Sequence, residues 1–311
     1  MIVRSISELL PAPCRAVIVN VSTKEVSTLA LLSTLRYSQL PVLLVDLESS
    51  DGSLAHFARM AETEPRIDLC SASLRKHGVV LDRIFRECRD ASLLLVDSDL
   101  EIHDAGIVKR MLDAVAVPGV FGAGAIHGPS WLGKAHGLPE RVALYRERMW
   151  IPFTVLKVAS IQDALKNGYS FINRWVPNEV PGLPWLAKQL SRRFFVPVVK
   201  HIRADFLGGT RNSYGDFRPN LVCCDTGADI FCYLRDDCKE QFVDFGIGQV
   251  ETLVHHYHGI TRRRLNRRDR NATDLDEILA QVVDRLHQEY GVVFPGSASG
   301  STSAQNVRVP E

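Results

Sequence analysis

The sequence predicts an α/β protein, a doubly wound sheet with helices packed on it, and three observations lead there. Runs of apolar residues with the length of buried strands lie at 15–21, 42–46 and 93–96. Between these runs the apolar spacing changes to the helical period. The second and third end in acids, Asp46 and Asp97, at the strand ends where open sheets of this kind bind ligands.

Taken in order, the β-branched run 15–21 leads into Ser22-Thr23-Lys24, a place where a helix can be capped, and Thr28 to Tyr37 keeps helical spacing up to Pro41. Pro41 to Asp46 repeats the apolar strand, and strand, helix and strand within about 30 residues form a right-handed βαβ unit. Leu47 to Ser53 is a polar, turn-rich loop. Leu54 to Met60 resumes the helical period, Ile67 to Cys70 is a short strand, and Val79 to Glu87 is an amphipathic helix leading to the central strand. Beyond Asp99, Ile107 to Val115 is helical and Val120 to Gly124 is a strand punctuated by glycine. Those glycines lie far from the first strand-helix turn, so a dinucleotide-binding fingerprint is disfavoured.

Trp150 to Lys157 reads as a strand on a sheet edge, followed by a helix from Ile161 to Asn167 that Gly168 stops. Asn220 to Leu234 places Asp225 where a helix begins, so its carboxylate either caps that helix or faces a cleft. Val250 to Tyr257 reads as a strand ending in the histidines 255, 256 and 258. Asp274 to Tyr290 is an amphipathic helix with Leu275, Ile278, Leu279, Val282, Val283 and Leu286 on one stripe. The serine- and glycine-rich end is a disordered tail.

Composition narrows the class. With 46% hydrophobic and 23% charged residues the chain is ordinary for a soluble globular protein, and a net charge of +1 gives no global pull toward nucleic acid. Glu8 interrupts the apolar residues of the first ten, which lack a signal-peptide core, and no segment approaches the length of a membrane span. Seven cysteines without a Cys-x-x-Cys pair point to buried thiols in a reduced, cytoplasmic protein.

Asp97 and Asp99, one residue apart at the tip of a buried strand, suit a hard divalent cation whose shell is completed by substrate phosphates; an acidic solvated turn is the plainer reading. Alternation puts His256 and His258 on one face of their strand and His255 on the other, which suits either a metal or phosphate site or a satisfied core. The arginine run 262–270 is either a solvated face or a phosphate clamp. Trp131, Trp150, Trp175 and Trp185 are either core or surfaces for a sugar ring.

Together these stretches resemble the GT-A fold glycosyltransferases, in particular the family-2-like nucleotide-sugar enzymes. Val42 to Ser53 resembles that group's second strand and its Asp-Asp-Gly-Ser-x-Asp-x-Ser loop. Asp97-Ser98-Asp99 resembles its Asp-x-Asp metal motif, with Ser71 to Asp82 in the place of the lead-in. His256 or His258 is similar to its late metal-completing histidine, and Asp225-Thr226-Gly227 to an Asp-Thr-Gly of some relatives. The resemblance spans residues 14 to 260. Leu47 and Glu48 replace the usual second acid and glycine, and the Glu-Asp pair that marks the base of inverting members is absent.

The resemblance implies a mixed sheet flanked by helices in a single large domain. Residues 1–126 would form the nucleotide-sugar half, 127–260 the acceptor and catalytic half, 261–293 a basic segment and C-terminal helix, and 294–311 the tail. It implies Asp46, Ser49, Asp51, His77, Asp82, Asp97 and Ser98 as contacts to the bound nucleotide sugar. Asp97, Asp99 and His256 or His258 would be ligands of Mn²⁺ or Mg²⁺, and Asp225 the catalytic base with Asp229 in reserve. The activity implied is transfer of a sugar from a nucleoside-diphosphate sugar to a glycan, lipid-linked or small-molecule hydroxyl, with inversion as the expected outcome and retention as the alternative. No nucleic acid is expected as partner, while peripheral membrane association and a homodimer stay open. A nucleotidyltransferase is the alternative enzyme, but 20–24 lacks the glycine and arginine of its phosphate loop; a non-catalytic binding protein is the third reading.

Overall fold

Local patterning and observed elements agree closely through the first hundred residues. The computed structural model describes residues 1–131, 144–177, 221–257, 260 and 272–294. Its first part runs β1 (Ile2–Val3), β2 (Cys14–Asn20), α1 (Lys24–Ser38), β3 (Val42–Asp46), α2 (Ser53–Thr63), β4 (Ile67–Ser71), α3 (His77–Glu87) and β5 (Ser92–Asp97). Next come β6 (Leu100–Ile102), α4 (Ala105–Val115), β7 (Val120–His127), β8 (Ser130–Trp131), β9 (Leu144–Tyr145), β10 (Arg148–Lys157) and α5 (Val158–Lys166). The remainder is β11 (Arg174–Pro177), β12 (Leu221–Cys224), α6 (Ala228–Cys232), a π turn, β13 (Gln241–Asp244), α7 (Ile247–Glu251), β14 (Val254–His256) and α8 (Ala272–Tyr290).

Eight strands make one mixed sheet in the order β1-β4-β3-β2-β5-β10-β7-β13. The first five are mutually parallel, β10 runs antiparallel to both β5 and β7, and β13 is parallel to β7. Helices cover both faces: α1, α2, α4 and α8 pack on one, α3, α5 and α6 on the other. The strands divide their residues between these two cores by simple alternation, Leu94 and Val96 facing one and Leu93 and Leu95 the other. That two-sided burial is why β5 reads as an unbroken apolar run. Two smaller sheets, β11-β12-β9-β8 and the ribbon β14-β6, are built at its margin.

Helix α1 starts at Lys24, earlier than its apolar spacing indicates, and Val26 to Leu35 are all buried because α4, α8 and β6 cover the side away from the sheet. Thr23 is the N-cap residue but makes no side-chain cap; its hydroxyl donates to Asn20 Oδ1 at 2.9 Å. The first helical N–H, that of Lys24, instead donates to Asp51 Oδ2 at 2.9 Å, a cap supplied from the next loop.

β10 is interior, not an edge strand. Pro152 has no N–H to give, but pairing with β7 breaks between Met149 and Thr154, and pairing with β5 begins only at Phe153. The proline therefore sits where no ladder bond is required. Gly124 explains the punctuation of β7, since a Cβ there would lie 2.6 Å from Thr154 Oγ1 on β10. The strand expected over Val250 to Tyr257 is shorter: Val250 belongs to α7 and only Val254–His256 is extended. At the end of the chain Val292 and Phe294 are still buried, with the Phe294 ring 5.4 Å from that of His56, so the body reaches one residue into the stretch assigned to the tail.

All seven cysteines are free thiols, five of them buried. Among the described residues no helix is long and apolar enough to cross a membrane.

Candidate active site

β5 ends at Asp97, Ser98 and Asp99 form a turn, and the chain continues at once into β6. β6 is too short to stand alone and pairs antiparallel with β14, Leu100 opposite His256 and Glu101 opposite His255. The ladder extends one step further, the Tyr257 N–H donating to the Asp99 carbonyl at 2.8 Å. This register brings His256 beside acids far away in sequence: Nε2 lies 3.0 Å from Asp99 Oδ1 and 3.7 Å from Asp97 Oδ2. Asp99 is 5% exposed and also accepts the Ile260 N–H at 3.3 Å; the Asp97 side chain keeps 28% of its surface open.

Asp97, Asp99 and His256 each offer one ligand atom, and these atoms lie within 4.8 Å of one another. Octahedral ligands at about 2.1 Å from a cation stand about 3 Å apart when adjacent and about 4.2 Å when opposite, so the cluster fits such an ion with only slight closure. Two carboxylates suit Mg²⁺ or Mn²⁺, and an imidazole in the set tilts the choice toward Mn²⁺. Burial is the largest effect on His256 and opposes its protonation. The Asp99 hydrogen bond and the charges of Asp99, Asp97 and Glu251 outweigh it, leaving the imidazole more basic than usual.

A second group lies alongside. Trp150, near the start of β10, sets its ring edge-on to His256 at 5.7 Å between centroids, and the ring of His127, at the end of β7, lies 6.4 Å from it. Burial, then the charge of Arg148, holds the His127 imidazole below its ordinary pKa, with Glu251 and Asp225 pulling the other way. Arg148 Nη2 lies 3.2 Å from Asp225 Oδ2, and Asn173 Nδ2 donates to Asp225 Oδ1 at 2.8 Å. Asp225 therefore does not cap α6, whose N-cap is Gly227. His127, Arg148, Asn173 and Glu251 drew no notice in the sequence. The signal for His127 was its place at the end of an apolar strand, the same signal that marked Asp97.

The other candidates are placed differently. Asp46 is fully buried and accepts from Asn20 Nδ2 at 2.6 Å and from the Ser49 hydroxyl and N–H at 2.6 and 3.1 Å. Ser49 also accepts the Ser22 N–H at 2.8 Å, and Asp51 receives the first N–H groups of both α1 and α2. These three side chains tie the β2 and β3 loops together, on the carboxyl edge of the sheet but two strands from Asp97. His77 is exposed at the start of α3. Asp82, on the same helix, is buried and accepts from the Ser170 hydroxyl at 2.6 Å and the Phe171 N–H at 2.9 Å. Gly78, one turn earlier, lets that segment approach, since a Cβ there would come within 2.4 Å of the Phe171 carbonyl oxygen. Ser98 is buried in the turn between the two aspartates. Asp229 is buried against Arg174 in an ion pair. His258, the arginine run 262–270 and Trp185 lie outside the described residues, as do the side chains of Trp131 and Trp175.

No family profile matches the chain, and no curated protein matches it significantly. Solved structures do. One is a mannosyltransferase, PcManGT from Pyrobaculum calidifontis, in complex with GDP-Man and Mn²⁺, at 15% identity and a TM-score of 0.38, covering 51% of this chain and 48% of that one. Two are of TarS 1–349 from S. aureus, at 16% identity and TM-score 0.36, and, in complex with UDP-GlcNAc, at 17% and 0.36. The chain thus spans about half the length of the structures it matches, covering 48–50% of them. Likeness of this degree assigns no activity, and the chemistry has to come from the chain's own residues.

Proposed function

We propose that this protein is a metal-dependent glycosyltransferase that moves a sugar from a nucleoside-diphosphate sugar to an acceptor hydroxyl. One observation carries the reading. Asp97, Asp99 and His256 converge within 4.8 Å at the carboxyl edge of an α/β sheet, which is where such sheets bind ligands. The sequence resemblance of Asp97-Ser98-Asp99 to a nucleotide-sugar metal motif supports it independently.

Those three side chains would hold Mn²⁺ or Mg²⁺, which when bound supplies positive charge to the leaving diphosphate. Asp99 and His256 are the buried part of the set, and Asp97 presents the accessible carboxylate on the side where a donor would enter. Trp150 backs this cluster, its buried ring edge-on to that of His256. Asp225 is the proposed base. Asn173 holds one of its oxygens and Arg148 the other, which fixes the carboxylate plane while each oxygen keeps a lone pair for an acceptor hydroxyl. Asp229 is a weaker candidate because its charge is already spent on Arg174. Asp46 and Asp82 are buried, at 0% and 4% exposure, and serve the donor space by holding the loops around it.

The test is Mn²⁺-stimulated hydrolysis of UDP-, GDP-, ADP- and dTDP-sugars by the full chain, with Asp97→Ala and Asp99→Ala alongside. Turnover of one donor, abolished in both variants, is the expected result. Equal activity in both variants, or none in any protein with any donor together with no donor-induced rise in Tm, would sink the reading.

A further inference from the structure

We propose that Arg285, on the C-terminal helix α8, is a positioning residue for the metal centre, acting through the buried carboxylate of Glu101 to keep His256 in register with the aspartate pair. The inference rests on His256 being a metal ligand, as argued above, and adds a residue that is distant in sequence and touches no ligand.

Glu101 is only 1% exposed, at the centre of β6 and two residues from Asp99. Its Oε1 accepts from Arg285 Nε at 2.9 Å and its Oε2 from the Tyr257 hydroxyl at 3.1 Å, with His103 Nε2 at 3.7 Å from the same oxygen. Tyr257 is the residue after His256, and its N–H is the one that bonds the Asp99 carbonyl. The end of the strand bearing the histidine is therefore pinned twice through Tyr257, by its N–H to Asp99 and by its hydroxyl to Glu101.

A buried carboxylate is held in place by the donors that touch it, and removing one leaves an acceptor without its partner. Arg285 is the donor to Oε1, and Glu289, one turn further along α8, holds its Nη1 at 3.0 Å and so aims the guanidinium. Without it the Glu101 carboxylate is free to rotate. That weakens its hold on the Tyr257 hydroxyl and frees the end of β14. Metal ligands tolerate errors of only about 0.2 Å, and losing an outer partner of a ligand typically costs 10–100-fold in affinity. The packing of α8 is carried elsewhere, by Val282, Leu286 and Tyr290, whereas the Arg285 side chain is 36% exposed. The arginine thus does more for the ribbon than for the docking of its own helix.

The experiment is Mn²⁺ binding by the full chain, read from the free-ion EPR signal, in wild type, Arg285→Met, Arg285→Lys, Glu101→Gln and Val282→Ala. Val282 is fully buried on the packing stripe of the same helix, so its truncation controls for helix docking. Arg285→Met is expected to raise the Mn²⁺ Kd about tenfold or more, Arg285→Lys to recover part of that loss, and folded Val282→Ala to stay within about twofold of wild type while its Tm falls. If Arg285→Met does not fold, Glu101→Gln carries the test, since it keeps the shape and weakens both bonds; several-fold weaker binding is expected. Wild-type affinity in a folded Arg285→Met, or in Glu101→Gln where Arg285→Met fails to fold, overturns the proposal, as does an equal loss in Val282→Ala. Absence of Mn²⁺ binding in the wild type itself would remove the metal reading and this inference with it, a result separable from the others.

Discussion

Asp99 and Asp82 are acids of similar burial, and exchanging each for asparagine should separate the metal site from the scaffold. Asp99 lies 3.0 Å from His256, and its second oxygen accepts the Ile260 N–H at 3.3 Å. Asp99→Asn removes a negative charge from beside Asp97 and costs a charge-assisted bond worth about 1.5–3 kcal/mol; relief of the repulsion between the two carboxylates returns part of that. The net loss in the metal-free protein is then about 1 kcal/mol, or a Tm shift of about 2–4 °C. Loss of a direct ligand should exceed the 10–100-fold cost of an outer partner, so Mn²⁺ binding falls by more than about 100-fold, or 2.7 kcal/mol. Asp82→Asn does the reverse. Its two acceptor oxygens meet the Ser170 hydroxyl and the Phe171 N–H, and turning an amide N–H₂ toward one of these donors leaves it buried and unmet, a loss of about 1–3 kcal/mol. Mn²⁺ titration by EPR and thermal melts with and without Mn²⁺ read both effects. Unchanged Mn²⁺ affinity in Asp99→Asn refutes the metal assignment, and a lowered affinity in Asp82→Asn refutes its purely structural place.

Other perturbations address the base, the core and acid stability. Asp225→Asn should lower kcat by about 10²–10⁴ while leaving the Mn²⁺ Kd within about twofold, because Asp225 is held by Arg148 and Asn173 and not by the metal cluster; kcat near wild type would dismiss it as the base. Arg15 is buried between Asp90 and Asp68, at 2.9 and 2.6 Å, so Arg15→Met strands a buried carboxylate and should destabilise the fold by about 3–5 kcal/mol in urea melts. Less than about 1 kcal/mol would show that Asp90 finds another partner or a proton. His56 is lowered to about 4, by burial first and then by the charges of Arg59 and Lys24. The unfolded chain binds that proton near pH 6.5, so stability is intact above pH 6.5 and falls as the pH drops toward 4, by roughly 3 kcal/mol in all. His56→Gln should flatten that part of the acid-stability curve; an unaltered slope would contradict the assignment.

What the sequence determined by itself is local. The alternation of strands and helices to residue 97, the two-sided burial of β5 and the placing of two aspartates at its tip all follow from periods of 2 and 3.6 and from strand-end chemistry. The stripe of α8 was legible for the same reason, and Val282 and Leu286 from it are buried. What only the tertiary structure decided depends on partners distant in the chain. β10 looked like an edge strand, and the bulge that lets Pro152 sit inside the sheet is visible only against β7. Asp46 and Asp82 take as partners Asn20, Ser170 and Phe171, residues outside their own stretches of the chain. The joining of His256 to Asp99 spans 157 residues and rests on one register, Leu100 against His256. A slip of one residue would present His255 instead, because neighbouring side chains on a strand point to opposite faces. Pairing of that kind joins segments far apart in the chain, with Tyr257 and Arg285 both bonded to Glu101 beside it, and no window of the sequence contains it.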